Sequence, residues 1–159
     1  MTDVSRGVLR SALLNDVREV SSWVATAREC ELWAGPRLPF PLDLVTLPAA
    51  IDFDDTYTFA LSDGPVLIAF GQLIPKSARR GHLARLIVAP SMRGRGYGET
   101  LVRALVDVAR LRGNLRASLN VDRANARAIA LYSKVGFRDA SRPADEPESY
   151  GSRYMEMRV

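Results

Sequence analysis

The 159-residue chain has one cysteine, Cys30, and one histidine, His82. A single thiol excludes an internal disulfide. One thiol and one imidazole together exclude a zinc-type ligand cluster. Thiol catalysis would want a His partner, and His82 lies in a separate apolar run from Cys30. A lone cysteine is ordinarily a small buried hydrophobe. No stretch approaches the roughly 20 apolar residues of a membrane span. The opening "MTDVSRGVLRSALLND" has no uninterrupted apolar core and no cleavage site, so the sequence bears no mark of export and reads as cytoplasmic. Repeats, low-complexity tracts and flexible linkers are missing as well. What is present is ordinary for a folded chain: 47% hydrophobic and 25% charged residues place it among globular proteins. The length suits one domain over residues 1–159, large enough to bury a core without a metal or disulfide.

Charge is unevenly spread. Residues 1–75 carry a formal charge of −5 and residues 76–159 carry +9, which together give the net +4. Such a division fits two ligands of opposite charge, or solvated surface charge in an arginine-favouring protein. A basic balance also raises nucleic acid as a partner. The C-terminal half has Tyr97, Tyr132, Phe137, Tyr150 and Tyr154 but no aromatic-basic repeat, so nucleic acid is disfavoured.

Periodicity orders the elements. Residues 4–10 fit a short strand. "NDVREVSSWVATAREC" places Val17, Val20, Trp23 and Val24 at three- and four-residue steps, which predicts one helix capped by Asn15 or Asp16. "WAGPRLPFPLD" is an ordered loop or broken helix; its Trp33 and Phe40 either pack on a core or wall a ligand site. A short helix over 43–51 follows. "TYTFALS" and "PVLIAFGQLI" flank Asp63-Gly64, a hairpin signal. "HLARLIVAP" is a further strand. A helix over 96–112 carries Leu101, Leu105, Val108 and Leu111 on one face, with Gly113 as its C-terminal cap. "NLRASLNV" is a strand, and "NARAIALYSKVG" a helix capped by Asp122 or Asn125. "FRDASRP" and "SRYMEMRV" are closing strands. This order predicts an α/β or α+β sandwich on one sheet.

Between strand and helix lies "RGRGYG". Gly94, Gly96 and Gly98 remove side chains so that backbone N–H groups can face one point. They also open a helix, whose first N–H groups lack partners and whose dipole end is positive. Arg93 and Arg95 add forked donors for phosphate oxygens. A pyrophosphate fits this array; a glycine-rich turn with surface arginines is the plainer reading. The nucleotide P-loop needs Gly-Lys, which is absent, and the dinucleotide fingerprint needs a different last spacing.

The segment "RLIVAPSMRGRGYGETLVRALV" closely resembles the acetyl-CoA-binding segment of the GNAT superfamily of N-acetyltransferases, with Arg93, Gly96 and Gly98 at its defined positions. "NARAIALYSKVGF" is similar to the family's second signature in Asn125, Ala128, Leu131, Tyr132, Gly136 and Phe137. The resemblance is firm from about residue 55 to 140. It implies a single mixed, mostly antiparallel sheet of six or seven strands flanked by helices, with the fourth and fifth strands splayed to admit acetyl-CoA. The backbone of Leu86, Ile87 and Val88 would then bond the pantetheine arm and thioester. Amides of Arg93, Gly94, Arg95, Gly96, Tyr97, Gly98 and Glu99 would hold the pyrophosphate, and Asn125 the pantetheine side. No metal is implied. Acetyl would pass directly to an amine, of a small molecule or a protein N-terminus. Tyr132 would act as general acid toward the departing thiolate.

The base departs from the family pattern. Alternation along the fourth strand puts His82, Ala84, Leu86 and Val88 on one face without a carboxylate, and Asn120 stands where several relatives carry Glu. His82 and Asp122 are the candidate bases; each has a plain alternative, an exposed strand-start His and a helix cap. The resemblance places the acceptor among the first helices, their loop and the last strands, with Glu29, Glu31, Trp33 and Phe40 as candidates beside Glu148 and Tyr150. The acidic first half would suit a cationic amine. A non-catalytic acyl-CoA-binding module of the same fold is the alternative. Family members are often dimers, and the sequence marks no interface.

Overall fold

The β-rich runs build seven strands of one sheet: β1 (Val8–Ser11), β2 (Tyr57–Asp63), β3 (Val66–Lys76), β4 (Arg80–Val88), β5 (Arg116–Asp122), β6 (Arg138–Asp139) and β7 (Ser152–Arg158). Helices α1 (Leu14–Trp23), α2 (Ala27–Ala34), α3 (Leu47–Ala50), α4 (Tyr97–Leu111) and α5 (Ala126–Val135) flank it. The structure is a computed structural model that describes residues 7–149 and 151–159. Residues 4–6 of the expected first strand, and the acceptor candidate Tyr150, lie outside those residues. No described helix is long and apolar enough to cross a membrane.

Strand order is β1-β2-β3-β4-β5-β7-β6. Every pairing is antiparallel except β4 with β5. That parallel pair follows from the α4 crossover, which returns the chain in the same direction. α4 and α5 cover one face of the sheet. Leu101, Val102, Leu105, Val106 and Ala109 of α4 pack there against Leu73, Leu83, Ala117 and Leu119. On the other face α1, α2 and α3 enclose Val17, Val20, Trp33, Leu47, Ile51 and Phe70. Cys30 is buried in this second cluster.

Three local expectations change. The long first helix is two helices. Thr26 stops it by accepting from Glu29 N (3.1 Å), while Glu29 Oε2 accepts from Ala25 N (2.7 Å), a reciprocal cap that starts α2. In α1, Asp16 caps from inside the first turn, accepting from Leu13 N (2.7 Å). In α4, Leu111 does not join the buried stripe but is 87% exposed, because the stripe runs through Leu101, Val102, Leu105, Val106 and Ala109, and at 3.6 residues per turn position 111 points away from it.

The third change is a bulge. Phe70 pairs with Ile87 and Gln72 with Ala84, so Arg85 and Leu86 together face Gly71. Arg85 adopts φ +51° there. Strict alternation along β4 therefore fails: Leu83, Leu86 and Val88 all pack toward α4 and α5 and Ile87 toward α1–α3, so His82 and Ala84, which flank Leu83, do not share the face of Leu86 and Val88 as expected. Gly71 is required by this crowding, since a Cβ would stand 2.7 Å from Leu86 Cδ2 and 3.0 Å from Leu105 Cδ1. Trp33 Nε1 donates to the Arg85 carbonyl (2.9 Å) and ties α2 to the bulge.

Candidate active site

The site begins where the sheet parts. β4 and β5 pair only from Arg80↔Arg116 to Leu83↔Leu119. Beyond that, β4 continues along β3 to Val88 and β5 along β7 to Asp122, so the two strands diverge. Residues 84–88 are half-buried on the open side.

β4 then passes through a single 3-10 turn, Pro90–Met92, into the glycine loop. Gly94 (φ +76°) and Gly96 (φ +86°) hold left-handed backbone that a side chain would strain. Gly98 has another reason: it sits inside α4, and a Cβ would come 3.1 Å from Leu131 Cδ1 of α5. Two glycines thus shape the loop and the third seats one helix on the other. The first intrahelical bond is Thr100 N to Gly96 O (3.2 Å), so the N–H groups of Tyr97, Gly98 and Glu99 have no helical acceptor, and no side chain caps them. Arg93 and Arg95 are exposed beside them. Arg93 Nε also donates to the Val88 carbonyl (3.1 Å), fixing the loop to the strand end. The Glu99 carboxylate turns outward to Lys134 (2.8 Å) and Arg103 (3.0 Å), which keeps its charge from filling the donor array.

On the α4–α5 side stands Tyr132. Its ring meets Phe137 edge-on at 6.1 Å. Burial pushes its phenol up to about 12, so it remains a proton donor at neutral pH. Asn125 caps α5 through Oδ1, accepting from Ala128 N (3.2 Å), which leaves its amide NH₂ for other partners.

The opposite side carries a polar cluster that sequence reasoning missed. The segment between β6 and β7 folds back and inserts Glu146, whose side chain is 5% exposed. Its carboxylate lies 3.5 Å from His82 Nε2 and accepts from Asn120 Nδ2 (3.1 Å). Arg80 and Lys76 each approach it at 3.4 Å. Asp145 joins Arg80 (2.7 Å) and the Ser77 hydroxyl (2.7 Å). His82 is buried, with Nδ1 2.8 Å from Ser118 Oγ. Burial drives its pKa down to about 4, with Lys76, Arg80 and Arg142 assisting against Glu146. Burial pushes the Glu146 carboxyl up, but His82, Lys76 and Asn120 outweigh it and hold that pKa below its ordinary value.

The other candidates are scattered among structural tasks. Asp122 accepts from Ala124 N (2.8 Å) and pairs with Arg28 of α2 (3.1 Å). It ends β5 beside the opening but does not meet His82. Glu31 pairs with Arg28 (3.2 Å), and Glu29 caps α2. Trp33 is buried against Phe70. Phe40 is 38% exposed on the loop after α2, and Glu148 is exposed in the β6–β7 segment. The structure therefore joins His82 to Asn120 and Glu146, and leaves Glu29, Glu31 and Phe40 apart from that cluster. Nothing local in "RPADEPES" marks Glu146; its partners, Asn120 to Lys76, lie 26 to 70 residues away.

Comparison with known proteins agrees with this geometry. Mycothiol acetyltransferase of Beutenbergia cavernae is 41% identical over 75 residues, 47% of this chain and 25% of that protein. Glucosamine 6-phosphate N-acetyltransferase 1 of Oryza sativa subsp. japonica is 32% identical over 84 residues, 53% of this chain and 49% of that protein. The chain thus spans a quarter to a half of the length of these curated relatives. Among solved structures, the spermidine N-acetyltransferase of Vibrio cholerae in complex with CoA and spermine superposes with a TM-score of 0.75 at 22% identity, covering 97% of this chain and 96% of that one. The ribosomal-protein-S18-alanine N-acetyltransferase of Escherichia coli gives 0.68 at 24%, over 96% and 94%. At such identities the structures speak for the fold alone. The model of the acetyltransferase (GNAT) family matches residues 20–137, and the chain belongs to that family.

Proposed function

We propose that the chain, acting as one catalytic domain, transfers an acetyl group from acetyl-CoA directly to a primary amine. The observation that carries this reading is the parting of β4 from β5 beside an uncapped α4 N-terminus. Acetyl-CoA fits the residues present: N–H groups of Tyr97, Gly98 and Glu99 and the Arg93 and Arg95 side chains suit its pyrophosphate. The open side of Leu86, Ile87 and Val88 suits its amide-bearing arm. When bound, it supplies the thioester.

The protein's own residues orient and move protons. Tyr132 donates to the departing thiolate, whose thiol has a pKa of roughly 8.5. Of the two candidate bases, Asp122 is committed to Arg28 and Ala124 N. His82 is neutral but weakly basic. An amine that arrives unprotonated, or that loses its proton through water toward His82 and Glu146, meets the need. The weak base is also what favours the second reading, a non-catalytic acyl-CoA-binding module. The acceptor is a small molecule or a protein N-terminus.

The test is calorimetric titration with acetyl-CoA, followed by a thiol-release screen over amines. Wild type should bind one equivalent at micromolar strength. Arg93→Ala with Arg95→Ala should weaken binding by roughly tenfold or more. Absence of heat at several temperatures would refute the ligand. Binding without transfer to any amine would leave the acyl-CoA-binding module as the function.

A further inference from the structure

A cavity of about 380 Å³ opens beside the polar cluster, lined by Arg123, Arg142, Glu148, Ser149, Ser152 and Tyr154 among others. Its place in the fold is set by the β5–β7 ladder. Tyr154 pairs with Asn120 and Ser152 with Asp122, and directly paired residues share a face. The cavity therefore lies on the Asn120 side of the sheet, at the β5 flank of the opening. Arg142 links the two. It donates to Asn120 Oδ1 (2.7 Å), to the Pro147 carbonyl (3.1 Å) and to Ser152 Oγ (3.4 Å), and it stands 5.5 Å from the Tyr154 ring.

All those partners are neutral. Among the described residues Arg142 has no carboxylate at bridging distance, and the Arg123 side chain makes no ion pair. The nearby acids are committed elsewhere: Asp122 to Arg28, Asp139 to Arg153, Asp145 to Arg80, and Glu146 to Lys76 and Arg80. Glu148 is the one acid on the wall, against two guanidinium groups. A fork held by neutral acceptors is placed to receive a carboxylate or a phosphate. The same excess of positive charge disfavours an ammonium and so increases the unprotonated, nucleophilic fraction of an amine, which suits a site whose imidazole is a weak base. Of the first-half acids on the neighbouring helices, Asp16 holds Arg10, Glu29 caps α2 and Glu31 holds Arg28.

We infer that this cavity is an anion subsite of the acceptor pocket, and that the preferred acceptor carries a carboxylate or phosphate besides its amine. The inference rests on the acetyltransferase reading above and reverses the expectation of a simple cationic acceptor. Its test is thiol release with matched pairs: an α-amino acid against its primary amide, and glucosamine 6-phosphate against glucosamine, with spermidine as a polycation. In wild type the anionic member of one pair should have the higher kcat/KM, by roughly tenfold or more, and which pair responds identifies the anion. Arg123→Gln and Arg142→Lys should each bring that ratio toward one while the KM for acetyl-CoA stays put. Spermidine or the neutral partners as the best acceptors, or a ratio that Arg123→Gln leaves unmoved, would overturn it. If no amine is acetylated, the catalytic reading fails instead, and the subsite is judged by calorimetry. Inorganic phosphate titrated into CoA-saturated protein should then give heat that Arg123→Gln abolishes; no heat in wild type would sink the subsite.

Discussion

Burial moves Tyr132 and His82 in opposite directions, the phenol up to about 12 and the imidazole down to about 4, and so holds both neutral through the physiological range. A neutral phenol can donate, so Tyr132→Phe should lower kcat by about a hundredfold while leaving acetyl-CoA binding in calorimetry almost unchanged. A neutral buried imidazole has a stability consequence. In the unfolded chain His82 takes up a proton near 6.5, whereas in the fold it does so near 4. Between those values the unfolded state binds more protons, so stability falls as pH drops through that window, by up to about 3 kcal/mol. Asp145, held down to about 2 by Ser77 and Arg80, extends the loss to lower pH. Melting temperature measured from pH 7 to 3.5 should fall most steeply between 6.5 and 4, and His82→Gln should flatten that part. Tyr132, Gly94 and Gly96 were legible in the sequence because each belongs to a contiguous pattern. Glu146 and Arg142 were not, because only the fold-back of a polar segment gives them partners.

At the level of elements, a three-residue polar spacing overrode a hydrophobic period. Val17, Val20, Trp23 and Val24 continue one helical face, yet Thr26 and Glu29 close a reciprocal cap that restarts the helix. Thr26→Ala should cost about 1 kcal/mol, read as a lower melting temperature. Because Trp33 of the same helix holds the Arg85 carbonyl, the variant should also disturb the β4 bulge and raise the KM for acetyl-CoA. The bulge itself was hidden for a similar reason. Residues 82–88 read as one alternating strand, and the extra residue shows only in the register against β3, where Gly71 makes room for Leu86. Gly98 was legible as a glycine but not for its cause, which is a leucine 33 residues further on.

For the whole molecule, the order of the elements apart from the split first helix could be read from periodicity, since long apolar runs and glycine stops dominate their own neighbourhoods, while the mixed sheet was legible only through the family resemblance. The charge division between halves was a poorer guide. In the first half Asp16, Glu29 and Glu31 answer local arginines and a helix end, and the segment between β6 and β7 carries Arg142 against Asp145, Glu146 and Glu148, so the basic excess of the second half lies outside it. The four-rung pairing of β4 with β5 has a wider consequence. A sheet ordinarily has two borders; this one has a third and fourth in its interior, where β4 beyond Leu83 and β5 beyond Leu119 each lack a partner on the side facing the other. The β1–β4 and β5–β7 portions are thus two leaves bound along one short hinge of backbone bonds and braced by α4. Seam-facing amides of residues 84–88 and 120–122 should exchange with solvent faster than those of 80–83 and 116–119, and acetyl-CoA should slow them by mass spectrometric exchange. A ligand in that seam would serve as the missing strand, so that the thiol product, as it departs, reopens the book.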